Sequence, residues 1–355
     1  MNLSFKKCIL FAISLLMGIG CMGQKAGARD DVGRYEPSIV DYAVPSSNES
    51  EWIKDGIYEY SLIRNKTAVR LMVLDTSSAK EFIVPKVFHN LPVKELFYVR
   101  GKKWEHLIVP NGIEIIDDSA LSGMSHLRKV DLGKDVQYIG RQAFWGNPNL
   151  TEVTGGQNVR FVGRQVFYLC KRMKNLPDFM KNHRKCIYSQ AAFKNARALT
   201  NIKLSSNVQY TNALFKGCTS LKSAYIQGKG FLPNAKTWKY RNVFTSSRML
   251  HPAHIKCCRS LKTVKLYNGI TRLNARMFAD CVKLQKVNIP KKCTYIGINT
   301  FRNCKSLRKL TISKSVKKID KTAFRGCKKL TLYVKKGSYA HKYAKKYHIK
   351  YKLVK

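Results

Sequence analysis

The stretch His251-Pro252-Ala253-His254-Ile255-Lys256-Cys257-Cys258 holds the densest set of metal-ligating side chains in the chain. Two imidazoles and two thiols this close together are zinc-ligand types. Pro252 interrupts the helix that would align them, and Lys256 and Arg259 place positive charge beside any dication. The stretch therefore reads as a loop, and His183 with Cys186 as a weaker pair of the same kind. Asp117-Asp118 is an isolated acidic pair, read as a turn beside a strand rather than an acid/base dyad. The eight His are scattered, and the chain has no Gly-x-Ser-x-Gly, His-Glu-x-x-His or phosphate-binding loop. No catalytic residue, cofactor or metal is assigned.

The cysteines are the remaining nucleophiles, and their spacing shows what positions them. Cys170, Cys218, Cys258, Cys281, Cys304 and Cys327 each stand three residues after a large apolar residue. Met124, Asn147, Ala196 and Ser247 take the same place elsewhere. Interchange with Ala and Ser marks a small packed position, so buried free thiols are expected. Disulfides are the alternative for an exported chain, although parallel side chains one coil apart rarely have the required torsion.

The large residues recur as Leu121, Phe144, Phe167, Phe193, Phe215, Phe278, Phe301 and Phe324, the last three spaced by 23 residues. A fixed period of this length predicts a solenoid, here a β-rich stack of parallel sheets. In one copy, Leu284, Val287 and Ile289 alternate inward while Lys286 and Asn288 point out. Pro290 ends that strand, and Gly297 is read as permitting a sharp bend. Roughly ten coils at about 4.8 Å each would extend on the order of 50 Å. Between Phe215 and Phe278 two registers compete, one anchored by Ile255 and one by Val243-Phe244.

Expected boundaries are a signal peptide over 1–23, a linker over 24–51, an N-terminal cap over 52–100, repeats over 101–330 and a C-terminal cap over 331–355. Insertions are placed near 171–185 and 227–254, the latter carrying Trp238, Tyr240 and Arg241. In the leader, Lys6 and Lys7 precede an apolar run from Cys8 to Gly20. Cleavage before Gln24 and lipidation of Cys21 after a lipobox-like Gly18-Ile19-Gly20 both remain open. In the last segment Ser338 is expected to cap a helix from Tyr339 to Tyr347, followed by a strand through Ile349, Tyr351 and Leu353.

These repeats resemble the BspA-like leucine-rich-repeat family of bacterial surface proteins. Its pattern is met by Leu284, Val287, Ile289, Pro290, Ile296, Gly297, Phe301 and Cys304. Cys293 and Thr300 replace two of its usual residues. A second turn matches through Leu127, Val130, Leu132, Val136, Ile139, Gly140, Ala143 and Phe144. The resemblance spans roughly residues 56–355. It implies a secreted or cell-surface leucine-rich-repeat protein with an adhesive rather than catalytic role.

The formal charge is +45, with 66 Lys and Arg against 21 Asp and Glu. This excess favours polyanionic partners. It is uneven, because after Lys256 only Asp280 and Asp320 are acidic. Outward strand positions form the candidate surface, with Lys129, Lys203, Tyr225, Lys265, Lys286 and Lys309 foremost and Trp238 added from the insertion. Asp131, Glu152, Asn201, Asn288 and Thr311 complete the outward set. A lysine ladder favours sequence-independent attraction, so non-specific nucleic-acid binding in vitro is expected. The reading is an exported, non-catalytic adhesion or ligand-binding protein for cell-surface or matrix protein or glycan partners. The alternatives are an envelope scaffold held to acidic polymers and an enzyme with a site in 227–254. Membrane association is expected only through a lipid anchor, and the oligomeric state stays open.

Overall fold

The computed structural model describes residues 51–180, 191–204, 214–226, 255–266, 268 and 270–355, with backbone alone for 186–188 and 208–210. These residues belong to one compact unit. The leader with Cys21, the linker over 24–50, the whole 227–254 insertion including Trp238, His251 and His254, and His183 lie outside the described residues.

The unit is a β-solenoid. Each coil contributes a strand to one ladder, a bend, a short strand to a second sheet, and a turn that drops the anchor into the core. The first ladder pairs strands Glu81–Ile83, His106–Val109, Lys129–Leu132 and Glu152–Gly155 in parallel. It then breaks, because the next coil replaces its strand with a short 3-10 turn, Asp178–Met180, that buries Phe179 and Met180. The ladder resumes with Asn201–Leu204, Ser223–Ile226, Thr263–Leu266 and Lys286–Val287. A last group joins Lys309–Ile312, Thr331–Lys335 and Tyr351–Val354. The second sheet begins with the antiparallel strands Ile53–Asp55, Tyr58–Ile63 and Ala68–Asp75. It continues through the long strand Leu91–Gly101 into the two-residue strands of successive coils.

The core is a column of rings. Phe144, Phe167, Phe193 and Phe215 stack at 5.1, 5.0 and 5.5 Å between centroids. Phe278, Phe301 and Phe324 continue at 5.3 and 5.5 Å. These spacings follow the strand separation of the ladders, so each coil stacks its ring on the one before. Ile255 fills the place between Phe215 and Phe278, fully buried, and Cys281 donates its thiol hydrogen to the Ile255 carbonyl at 3.1 Å. The Ile255 register is therefore the one in the described core.

Two details of the sequence reading change. Gly297 does not adopt a positive φ. A Cβ there would sit 2.9 Å from the Ala275 nitrogen, so what Gly297 permits is the close approach of two coils. Leu284 is fully buried, but Val287 and Ile289 are only half-buried at the edge of the core. Ser338 does cap the terminal helix Tyr339–Lys346, its hydroxyl accepting from the His341 N–H at 3.2 Å. Of Tyr339, Tyr343 and the C-cap Tyr347 only Tyr343 is buried, and its hydroxyl donates to the Asp320 carbonyl at 3.0 Å. Leu353 in the final strand is exposed.

Candidate functional site

The outward face of the ladder has two chemically different ends. At the first end the charges neutralise one another. His106 places Nδ1 2.7 Å from Glu81 and Nε2 2.7 Å from Asp131, tying three successive strands together. Lys129 donates to Asp131 at 2.9 Å, and the Thr154 hydroxyl donates to the other oxygen of that carboxylate. Burial alone would raise the Asp131 pKa, but bonds from Thr154, Lys129 and His106 hold it below the ordinary range. The same Asp131 bond raises the pKa of Lys129. Lys129 is thus half of an ion pair, and it lies on the ladder segment before the break.

At the other end the ladder lysines have no such partners among the described residues. Strands Lys203–Tyr225–Lys265 align in one column, and Thr263–Lys286 in the neighbouring one. Lys265 therefore lies diagonal to Lys286 rather than beneath it. Its ammonium sits 5.3 Å from the centre of the Tyr225 ring. Lys265, Lys286 and Lys309 come together as the wall of a groove of about 1330 Å³. Six further cations line it, namely Lys291, Arg308, Lys314, Lys329, Lys335 and Lys355. Its lining contains no acidic side chain, imidazole or thiol. Lys203 and Tyr225 precede the groove on the same ladder segment. Sequence reasoning missed the six additional cations because they lie at strand ends and in turns, where periodicity does not say which way a side chain faces. The only signal was the scarcity of acids after Lys256.

The groove forms where the ladder comes apart. At other steps the carbonyl just before a strand accepts from the next coil, as Lys222 does from Lys262 at 2.9 Å and Lys262 from Gln285 at 2.9 Å. Arg308 likewise accepts from Thr331 at 2.8 Å. No such bond joins Gln285 to Arg308, and Lys286–Val287 does not pair with Lys309–Ile312. Asn288, directly after Lys286–Val287, bonds to the coil before it and not to the coil across the opening. Rather than pointing outward, its side chain folds back onto Leu266, accepting from the Leu266 N–H at 2.7 Å and donating to the Leu266 carbonyl at 2.8 Å. A side-chain amide thus takes the place of the next strand residue, and Pro290 has no N–H to resume pairing. On the opposite sheet the two coils stay paired through Tyr295↔Lys318 and Ile296↔Ile319.

The cysteines serve the stack. Cys170, Cys218, Cys258, Cys304 and Cys327 donate to the carbonyls of Phe144, Phe193, Phe215, Phe278 and Phe301 at 3.0–3.3 Å. Asn147 takes the same role with its amide, donating to the Leu121 carbonyl at 2.8 Å. The described cysteines are free thiols. Among the described residues no group of three or more His, Cys, Asp or Glu could hold a metal ion. Nor is any described helix long and apolar enough to cross a membrane.

Stacked coils, a single column of anchors and parallel ladders define a leucine-rich-repeat solenoid. The chain belongs to the BspA-type leucine-rich-repeat family, whose model matches six copies over residues 93–222 and 242–344. A leucine-rich-repeat protein of T. pallidum is 18% identical, over 72% of this chain and 91% of that one, with a TM-score of 0.38. A leucine-rich cell-surface protein of Faecalibacterium prausnitzii is 18% identical over 83% and 97%, with a TM-score of 0.36. One from Bacteroides ovatus is 17% identical over 85% and 100%, with a TM-score of 0.40. No curated protein matches the sequence significantly.

Proposed function

We propose that this chain is an exported, non-catalytic binding protein that captures a polyanionic partner at a cell surface or matrix through the groove around Lys265, Lys286 and Lys309. The observation that carries this reading is the concentration of nine cationic side chains in one lining with no acidic side chain among them. Among the described residues none of the nine has an ion-pair partner. Unpaired lysines on a regular β-scaffold attract anionic polymers without needing sequence or stereochemical recognition. The opposite end, where Lys129 is engaged by Asp131, offers no comparable field. Export is supported by the Lys6-Lys7 and Cys8–Gly20 leader pattern, with Cys21 as the residue for a lipid anchor. The family's surface role agrees with this destination.

The test is binding of the chain from Gln24 onward to immobilised anionic glycans and matrix glycoproteins over a salt series. A Lys265→Glu/Lys286→Glu/Lys309→Glu variant is measured alongside. Binding should weaken steeply with salt and be largely lost in the variant. Binding that survives both changes overturns the electrostatic reading.

A further inference from the structure

We infer that the preferred occupant of the groove is an extended acidic polypeptide segment in which carboxylate residues alternate with aliphatic ones. Its place is the opening between Lys286–Val287 and Lys309–Ile312. The inference rests on the electrostatic capture proposed above and names the partner's chemistry.

Two observations favour a peptide over another polyanion, and a third favours a polymer segment over a small molecule. The first is the backbone. In a closed ladder every strand amide and carbonyl is paired with its neighbours, but here Lys286–Val287 and Lys309–Ile312 share no backbone bond, although just before them the Ser306 N–H still donates to the Val282 carbonyl at 3.1 Å. Unpaired strand edges are templates for an incoming strand. The second is the floor. Val287 and Ile289 are half-buried, whereas the corresponding Val264 and Leu266, and Leu310 and Ile312, are buried to 2% exposure or less. Aliphatic side chains of a partner would complete that burial, at roughly 25 cal/mol per Å² covered. A sulfated glycan brings hydroxyls and charge but no apolar side chains, and the lining has no aromatic ring on which a sugar could stack. The third is size. The groove volume of about 1330 Å³ exceeds the roughly 300–1,000 Å³ of small-molecule sites, so it suits a segment of polymer.

An extended chain alternates its side chains between two faces. Seated in the opening, it turns its aliphatic residues onto Val287 and Ile289. Its carboxylates then face the groove, among Lys265, Lys286 and Lys309. Seating a strand widens this face by about one strand spacing, roughly 4.8 Å. The pairing at Tyr295↔Lys318 and Ile296↔Ile319 holds the opposite sheet together meanwhile.

The experiment uses the chain from Gln24 and fluorescence anisotropy with a labelled peptide of about eight residues alternating Glu and Val, at moderate salt. Three competitors follow: a Glu-Ser peptide of equal charge, the Glu-Val peptide N-methylated at every Val, and a sulfated oligosaccharide. The expected result is Glu-Val binding at least about tenfold tighter than Glu-Ser, with a similar loss on N-methylation. Equal binding of all three peptides, or tighter binding of the oligosaccharide, overturns the peptide inference and leaves the electrostatic reading standing. If no anion binds, both fall.

Discussion

Asp280 shows how a single side chain supports this basic end of the molecule. It is one of only two acids after Lys256. It accepts from Asn303 at 2.8 Å and from Arg302 at 2.9 Å. Burial would raise its pKa, but those bonds and the nearby Lys256 charge hold it below the ordinary range. A carboxylate whose folded pKa is depressed stabilises the fold above its unfolded value and loses that contribution as pH falls through the folded one. Thermal melts of Asp280→Asn should therefore show a deficit at neutral pH that narrows below about pH 4. A pH-independent deficit would mean the carboxylate charge is irrelevant. The thiols are different again. Burial pushes Cys170, Cys218 and Cys281 up to about 12, so they stay protonated and unreactive. Among the described cysteines only Cys257 is partly exposed. Among the described cysteines, maleimide mapping of the native protein should label Cys257 first and the seven buried ones only on unfolding. The sequence reading had these positions as small and packed. Their donation to the preceding coil was hidden, although Asn147 in the same slot was a sign that the position wants a donor.

The coil as an element was legible from its anchors, since Phe144 through Phe324 repeat at intervals that only stacking explains. Its backbone rules were less so. The residue two places after each anchor is left-handed, filled by glycine at Gly123, Gly146, Gly217 and Gly326 and by Leu169, Asn195, Cys257, Asp280 and Asn303 elsewhere. So many residue types serve there that no motif stands out, because the cost per site is only about 1–2 kcal/mol. The glycine four places before an anchor answers a harder demand. A Cβ on Gly163 would lie 2.5 Å from the Arg141 nitrogen and 2.6 Å from the Gly140 carbonyl carbon. At Gly146, with φ of 70°, the nearest atoms are 4.0 Å away. Gly146→Ala should cost about 1 kcal/mol, the left-handed penalty alone. Gly163→Ala should cost at least about 3 kcal/mol, because neither backbone can yield without parting the coils. Denaturant melts of the two variants give the comparison, and equal losses would refute the steric account.

Across the whole molecule, charge imbalance was visible in the sequence but its arrangement was not. Lys129 and Lys286 look equivalent as outward strand residues, yet Lys129 is held by Asp131 while Lys286 lines a groove free of acidic side chains. The opening in the ladder was also invisible, since the repeat pattern gives Lys286–Val287 and Lys309–Ile312 the same strand character whether or not they pair. This contrast sets a test of the molecule's polarity. If capture is electrostatic and confined to the groove, the salt dependence of polyanion binding counts the groove cations engaged. On a polyphosphate probe, each neutralised contact contributes roughly 0.7–0.9 to the slope of log K against log salt concentration. Lys265→Glu/Lys286→Glu/Lys309→Glu should flatten that slope by about two to three units and reduce affinity most at low salt. Lys129→Glu changes the formal charge by the same amount per residue, but removes a cation already neutralised by its neighbour, so the slope should stay within error of the parent. Equal effects per substitution at the two places would mean that net charge alone governs binding, and that the groove adds nothing to what a uniformly basic surface would do.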